Sequence, residues 1–115
     1  TNTMTDHQFS ILWGEASTSP DRAVFVSDSA LSAIWDDPEG SPVPADRLRE
    51  LDALWTAVHT SIKDMRQALG LSRPAFSARF LVPVRTLENW ESGASKCPEY
   101  VRLALLQAAG LYTRA

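Results

Sequence analysis

Two prolines constrain this chain more than any other feature. Pro74 and Pro83 bracket residues 75–82. A proline lacks the amide that a helix interior needs, and its ring clashes with the carbonyl four residues back. Pro74 therefore fits only in the first turn of a helix, and Pro83 only at or before the start of one. Ser72 offers an N-cap hydroxyl to the first helix, and Ser92-Gly93 offers a stop to the second. The run then reads as a helix over 73–80, a turn Leu81-Val82-Pro83 and a helix over 84–91. Two short helices joined by three residues predict a helix-turn-helix at 72–92. Phe76, Phe80, Val82, Leu87 and Trp90 fall where they can meet in one small core.

The flanks extend this pattern. Leu48, Leu51, Trp55, Val58, Ile62, Met65 and Leu69 recur at spacings of three and four, a stripe down one helical face. Ser61 and Asp64 form a capping box, so two helices at 45–59 and 62–69 and one continuous helix are both open readings. Gly70 supplies a left-handed stop. A last helix runs from Pro98 to Gly110 with Val101, Leu105 and Ala108 on one face. Leu103 and Leu106 form a second apolar line on it, available for pairing between subunits. The predicted fold class is mainly all-α, a helix-turn-helix bundle of four to five helices over 47–115.

Upstream the signals are weaker. Residues 36–46 read DDPEGSPVPAD, a Pro/Gly/acidic stretch that no helix or central strand tolerates, and are expected to be a linker. Residues 1–35 form an acidic, aromatic-containing extension. Within it Phe9, Ile11 and Trp13 alternate, and Ala23 to Val26 is a short apolar run; either suits a strand. Ser27 is placed to cap a short helix over 28–35. The polar start Thr1 to Thr5 reads as disordered in part. Some 35 residues rarely sustain a core alone, so this extension is expected to pack on the rest of the chain.

Charge and composition exclude several functions. The chain has 115 residues and a net charge of −3. Residues 1–62 carry Arg22, Arg47 and Arg49 against ten acids, net −7, whereas 63–115 carry eight basic groups against Asp64, Glu88, Glu91 and Glu99, net +4. The half that holds the helix-turn-helix is the basic one. No stretch is long and apolar enough to span a bilayer and no secretory signal is visible, so a cytoplasmic protein with no membrane partner is expected. Cys97 is the only thiol, which rules out an intrachain disulfide and a CxxC pair. His7 and His59 lie in no HExxH or HxH pattern, and the five glycines stand singly, so no phosphate loop is present. The reading is not an enzyme, with no catalytic residue, metal or cofactor implied. His59 is expected on a helix surface or between helices, and Cys97 as a small apolar filler.

Helical geometry points to a reading face. Burying Leu87 and Trp90 leaves Arg85, Thr86, Glu88, Asn89 and Ser92 on the other side of the second helix. A recognition helix inserts that face into a major groove, N-terminal end first. Arg85 can pair with the O6 and N7 edge of guanine, Asn89 with the N6 and N7 edge of adenine, Glu88 with a cytosine amine, and the Thr86 methyl with thymine. The alternative for Arg85 and Glu88 is a simple surface pair three residues apart. Arg79, Lys96, Arg102 and Ser72 are the candidate phosphate contacts, since such groups beside a recognition helix position the duplex without reading it. Glu91 is expected to orient a basic neighbour, because an acid does not approach phosphates.

The run LGLSRPAFSARFLVPVRTLENWESG followed by PEYVRLALLQAAG resembles the helix-turn-helix of the lambda-repressor/Cro/Xre-like family, close to the version in small phage-type repressors and antitoxins. It covers about half of the chain; residues 1–45 match nothing in it. The resemblance implies an all-helical bundle that binds operator DNA, usually as a dimer, and it adds Arg73 to the base contacts, at a position the family often fills with glutamine. Two departures stand out. Leu81 occupies the place of a frequent glycine, so the first helix is expected to end by another geometry. Val84 occupies a place where a polar reading residue is common, which narrows the reading surface.

The leading expectation is a sequence-specific transcriptional regulator, a repressor or autoregulator that binds double-stranded DNA at a short palindrome as a homodimer. The alternative is a protein-interaction module, such as an antitoxin whose acidic residues 1–60 bind a toxin or another regulator. Trp13, Trp35 and Trp55, of the type enriched at interfaces, motivate it. Against it, the favoured reading of those tryptophans is as packing groups that cover the back face of the helix-turn-helix.

Overall fold

The computed structural model describes residues 4–114 and is all-helical, with no strand among them. Its seven α-helices are α1 (Asp6–Thr18), α2 (Arg22–Ala30), α3 (Ala45–Val58), α4 (Ile62–Ala68), α5 (Arg73–Phe80), α6 (Val84–Ser92) and α7 (Glu99–Ala108), with a short 3₁₀ turn at Ala33–Trp35. The count exceeds the four to five expected because residues 6–18 and 22–30, which include the runs where strands were open readings, are helical. The chain divides between His59 and Thr60 into two compact units, and Arg114 belongs with the first. The helix over 45–58 therefore groups with the N-terminal half, and the helix-turn-helix unit begins at Thr60. Among the described residues no helix is long and apolar enough to cross a membrane.

In the first unit, α1 and α2 both pack on α3. A capping box starts α1: the Thr5 hydroxyl accepts from the Gln8 amide and the Gln8 side chain accepts from the Thr5 amide. Thr5 and the buried Met4 are thus part of the fold, and the rest of the polar start lies outside the described residues. Phe9, Leu12 and Ala16 share the buried face of α1, while Ile11 points outward at 38% exposure. Helical spacing there overrides the strand-like alternation of Phe9, Ile11 and Trp13. Similarly, Asp21 caps α2 by accepting from the Val24 amide, so that helix begins before Ser27 and takes in the apolar run. Leu51 and Leu54 of α3 and Leu12 of α1 are fully buried, each stabilising the unit by about 1.5–3 kcal/mol.

The stretch 36–46 does not separate the units; residues 36–44 are a loop inside the first one, and Ala45 and Asp46 open α3. Arg47, only 2% exposed, donates to both carboxylate oxygens of Asp37 and to the Ala30 carbonyl. Its guanidinium lies 4.3 Å from the Trp35 ring centroid, and the Trp35 indole donates to the Ser29 carbonyl. Trp55 Nε1 donates to the Ser19 carbonyl, and its ring stacks on His59, whose Nε2 donates to the Ala16 carbonyl. The indole N–H groups of Trp35 and Trp55 are thereby satisfied inside their own unit. His59 is an interhelix residue, as its sequence position suggests.

The second unit starts where Ser61 and Asp64 close the expected capping box, so the stripe over 45–69 is two helices and not one. Gly70 and Gly110 take the left-handed conformation that ends α4 and α7, with φ of +67° and +74°. Pro74 sits in the first turn of α5 and Pro83 is the N-cap of α6, as the prolines require. Phe76, Val82 and Leu87 are buried; Phe80, 4.6 Å from Phe76 between ring centroids, and Trp90 are half-buried. On α7 the buried set is Arg102, Leu105 and Leu106, with Ala108 exposed and Leu103 half-buried. Leu106 is thus consumed inside the protein, and the second apolar line expected on that helix is not a free surface. Leu81 corrects another expectation. It adopts the left-handed geometry itself, with φ +57° and ψ +34°, and its side chain is 87% exposed.

Candidate nucleic-acid interface

Both α4 and α5 pack against α6, and this fixes which face of α6 is presented. Leu87 is fully buried. With 3.6 residues per turn, residues one and two positions either side of it turn away from the core. Arg85 and Glu88 are exposed, while Thr86 and Asn89 are half-buried. Val84, at the first position of the helix, is 37% exposed. The side chains of Arg85, Glu88 and Asn89 make no ion pair or hydrogen bond among the described residues, so the Arg85–Glu88 surface pair does not form.

They open onto a cleft of about 350 Å³, lined by Lys63 of α4, Arg73 of α5, and Arg85, Glu88, Asn89, Glu91 and Ser92 of α6. Its floor is built around an ion pair. The Glu91 side chain is 3% exposed and accepts from Arg66 Nε at 3.0 Å and Nη2 at 2.8 Å. The third arm of Arg66 donates to the Leu71 carbonyl at 3.1 Å, which ties α4 to the segment leading into α5. The bidentate Arg66 holds the Glu91 carboxyl below the usual carboxylate range against the opposing effect of burial, helped by the charges of Arg73 and Lys63. Glu91 does orient basic neighbours, as its position in the sequence suggests.

The expected contact residues separate into four groups. Arg85, Glu88 and Asn89 come together at the cleft, and Arg73 joins them from α5 with its guanidinium 3.5 Å from Glu91 and its side chain half exposed. Thr86 lies on the same helix outside the cleft lining. Arg79 and Lys96 are exposed elsewhere on the unit; Arg79 lies 5.5 Å from the Phe80 ring centroid. Arg102 and Ser72 are engaged internally. Arg102 is 8% exposed, donates to both Glu99 carboxylate oxygens and to the Thr60 carbonyl, and so clamps the start of the unit. That differs from its expected role on phosphate: a buried guanidinium already engaged by Glu99 and the Thr60 carbonyl is not presented to an outside anion. The Ser72 hydroxyl accepts from the Ala75 amide as the N-cap of α5.

Removing the two internal pairs, Arg66–Glu91 and Arg102–Glu99, leaves Lys63, Arg73, Arg79, Arg85 and Lys96 against Asp64 and Glu88 at the surface of this unit. The two pairs take equal numbers of bases and acids, so the net charge of the unit is unchanged, but the groups that remain are five bases against two acids. Sequence reasoning missed Lys63, since only the packing of α4 on α6 brings it beside Arg85. Among the described residues no group of three His, Cys, Asp or Glu side chains could hold a metal ion. Cys97 is buried, and burial pushes its thiol up. Comparison with protein-family models, with curated proteins and with solved structures returned no match.

Proposed function

We propose that this chain is a sequence-specific DNA-binding transcriptional regulator, a repressor or autoregulator and not an enzyme, that inserts α6 into the major groove. The observation that carries the reading is the state of α6: Leu87 anchors one side while Arg85, Glu88 and Asn89 stand unpaired on the other, beside a cationic cleft. Arg85 is assigned to a guanine edge, Asn89 to an adenine edge, Glu88 to a cytosine amine and Thr86 to a thymine methyl or a phosphate. Arg79 and Lys96 take flanking phosphates. The resemblance of 69–93 to the lambda-repressor/Cro/Xre-like helix-turn-helix supports the same reading. One module of this size buries too little surface for tight binding, so a homodimer on a palindrome, with half-sites about 10 base pairs apart, completes the proposal.

The test is selection of bound duplexes from a random pool, followed by mobility shift across a salt series. Arg85→Ala is expected to lose about 1–3 kcal/mol on the selected site and to relax preference at one base pair. No enriched sequence, or unchanged binding by Arg85→Ala, refutes the reading. A second reading, capture of a partner protein such as a toxin through residues 1–60, has one observation in its favour: Val24 and Leu31 of the first unit are 52% and 77% exposed. Val24→Asp and Leu31→Asp variants that still capture a partner identified by co-purification would remove that support.

A further inference from the structure

We infer that Lys63 is a backbone-phosphate anchor of this interface, seating one phosphodiester of duplex DNA in the cleft together with Arg73; the inference rests on the DNA-binding reading above. Lys63 occupies the first turn of α4, is exposed, and lines the same cleft as Arg85 and Asn89. It forms no ion pair within 4 Å among the described residues. Glu91, a carboxylate of the same cleft that the Lys63 charge acts on, is already held by Nε and Nη2 of Arg66. Arg73 reaches Glu91 only at 3.5 Å and keeps about half of its side chain in solvent. Lys63 therefore remains without an ion-pair partner at the edge of the cleft, beside an Arg73 whose pair with Glu91 leaves about half of its side chain in solvent, next to the groups assigned to base edges.

A phosphodiester oxyanion is the ligand this arrangement suits. It is a compact anion that an ammonium binds as a point charge and a guanidinium binds with a directed N–H. It also accompanies every base pair in the groove, so a residue that grips it adds affinity without adding sequence preference. The placement has a further use. Lys63 belongs to α4, so a phosphate held there fixes the duplex against a helix that does not itself read bases, which limits how far α6 can rotate or slide in the groove. Arg73 then moves from the base-contacting set expected from the sequence to the backbone-contacting set.

The experiment uses the full chain and the selected duplex, comparing wild type, Lys63→Ala, Lys63→Arg and Arg85→Ala from 50 to 200 mM salt. One lost phosphate contact lowers the salt slope by about 0.9, so the advantage of wild type over Lys63→Ala shrinks by about 3.5-fold across that range. Lys63→Ala is expected to weaken matched and mismatched duplexes by the same factor, and Lys63→Arg to restore binding. A second arm replaces single phosphates of the duplex by neutral methylphosphonate: at one position the replacement weakens wild type several-fold and leaves Lys63→Ala unchanged. An unaltered slope in Lys63→Ala, or an altered base preference, overturns the phosphate assignment while leaving α6 as the reading helix. Competition by inorganic phosphate at equal ionic strength, with no position-specific methylphosphonate effect, overturns it in favour of a small-anion site. Absence of any enriched sequence for wild type overturns the DNA-binding reading itself, and the phosphate assignment with it.

Discussion

Replacing Glu91 by glutamine tests the ion pair under the candidate interface most directly. The pair is largely shielded from water, with 13% of the Arg66 side chain and 3% of the Glu91 side chain exposed, and two N–H donors meet two carboxylate oxygens. Unit charges about 4 Å apart at an effective dielectric of roughly 20 attract by about 4 kcal/mol. Removing one partner leaves the other buried without compensation, which costs about 3–5 kcal/mol. Glutamine keeps one acceptor for Arg66, so Glu91→Gln belongs near the lower end, about 3 kcal/mol. Arg66→Met should cost a similar amount, because Arg73 still faces the stranded carboxylate at 3.5 Å. The double variant Arg66→Met/Glu91→Gln closes the cycle and strands no charge, leaving a neutral glutamine beside an apolar side chain where the pair stood. Its loss should stay near that of one single variant, giving a coupling of about 3 kcal/mol. Urea unfolding followed by circular dichroism measures all four proteins. Additive single losses, or a Glu91→Gln loss below about 1 kcal/mol, would refute the claim that this pair holds the helix-turn-helix unit together.

The pair also sets a pH dependence. Glu91 has a folded pKa below its unfolded value, so its contribution is fully present above the unfolded pKa of about 4.3 and is lost as pH falls through the folded pKa. Stability of the wild type should therefore drop below about pH 4.5 more steeply than that of Glu91→Gln. Glu50 has the opposite sign. Burial and the neighbouring Asp46 raise its pKa, so the neutral form is favoured on folding and the stabilising contribution fades as pH rises. Glu50→Gln should raise the melting temperature at pH 7 and change it little near pH 3, and equal effects at both would refute the argument. At Leu81, a left-handed residue with a Cβ costs roughly 1–2 kcal/mol, partly offset in glycine by its greater unfolded entropy of about 0.5–1 kcal/mol. Leu81→Gly should match or exceed wild type by up to about 1 kcal/mol, and Leu81→Val should be less stable than either; a large loss in Leu81→Gly would show that the exposed leucine makes a stabilising contact. Leu87→Ala, at a fully buried site, should cost about 2–5 kcal/mol in the same denaturation assay.

Much of the local structure follows from what a few adjacent residues decide. Pro74 and Pro83 can occupy only helix starts, Ser61 and Asp64 can cap only a helix that begins between them, and Gly70 and Gly110 take a left-handed conformation without steric cost. Those local rules predict α4, α5, the turn, α6 and the orientation of Arg85, Glu88 and Asn89 opposite Leu87. They also leave errors where two local patterns compete. Phe9, Ile11 and Trp13 alternate like a strand, yet Phe9, Leu12 and Ala16 also share a helical face, and the capping box of Thr5 and Gln8 was the signal that distinguishes them.

Only the tertiary structure decided which charges are presented and which are consumed. Arg66 and Glu91 stand 25 residues apart, Arg102 and the Thr60 carbonyl 42 apart, and no spacing rule joins them. Arg102 is buried for that reason, and Lys63 comes beside Arg85 because α4 packs on α6. The acidic loop at 36–44 became an internal clasp because Asp37 neutralises the buried Arg47. Hydrophobic and capping patterns are read within a turn of helix, whereas the partner of a charge depends on desolvation and on contacts between distant segments. Local order in this protein is therefore written in its neighbours, and the composition of its candidate interface is written in its packing.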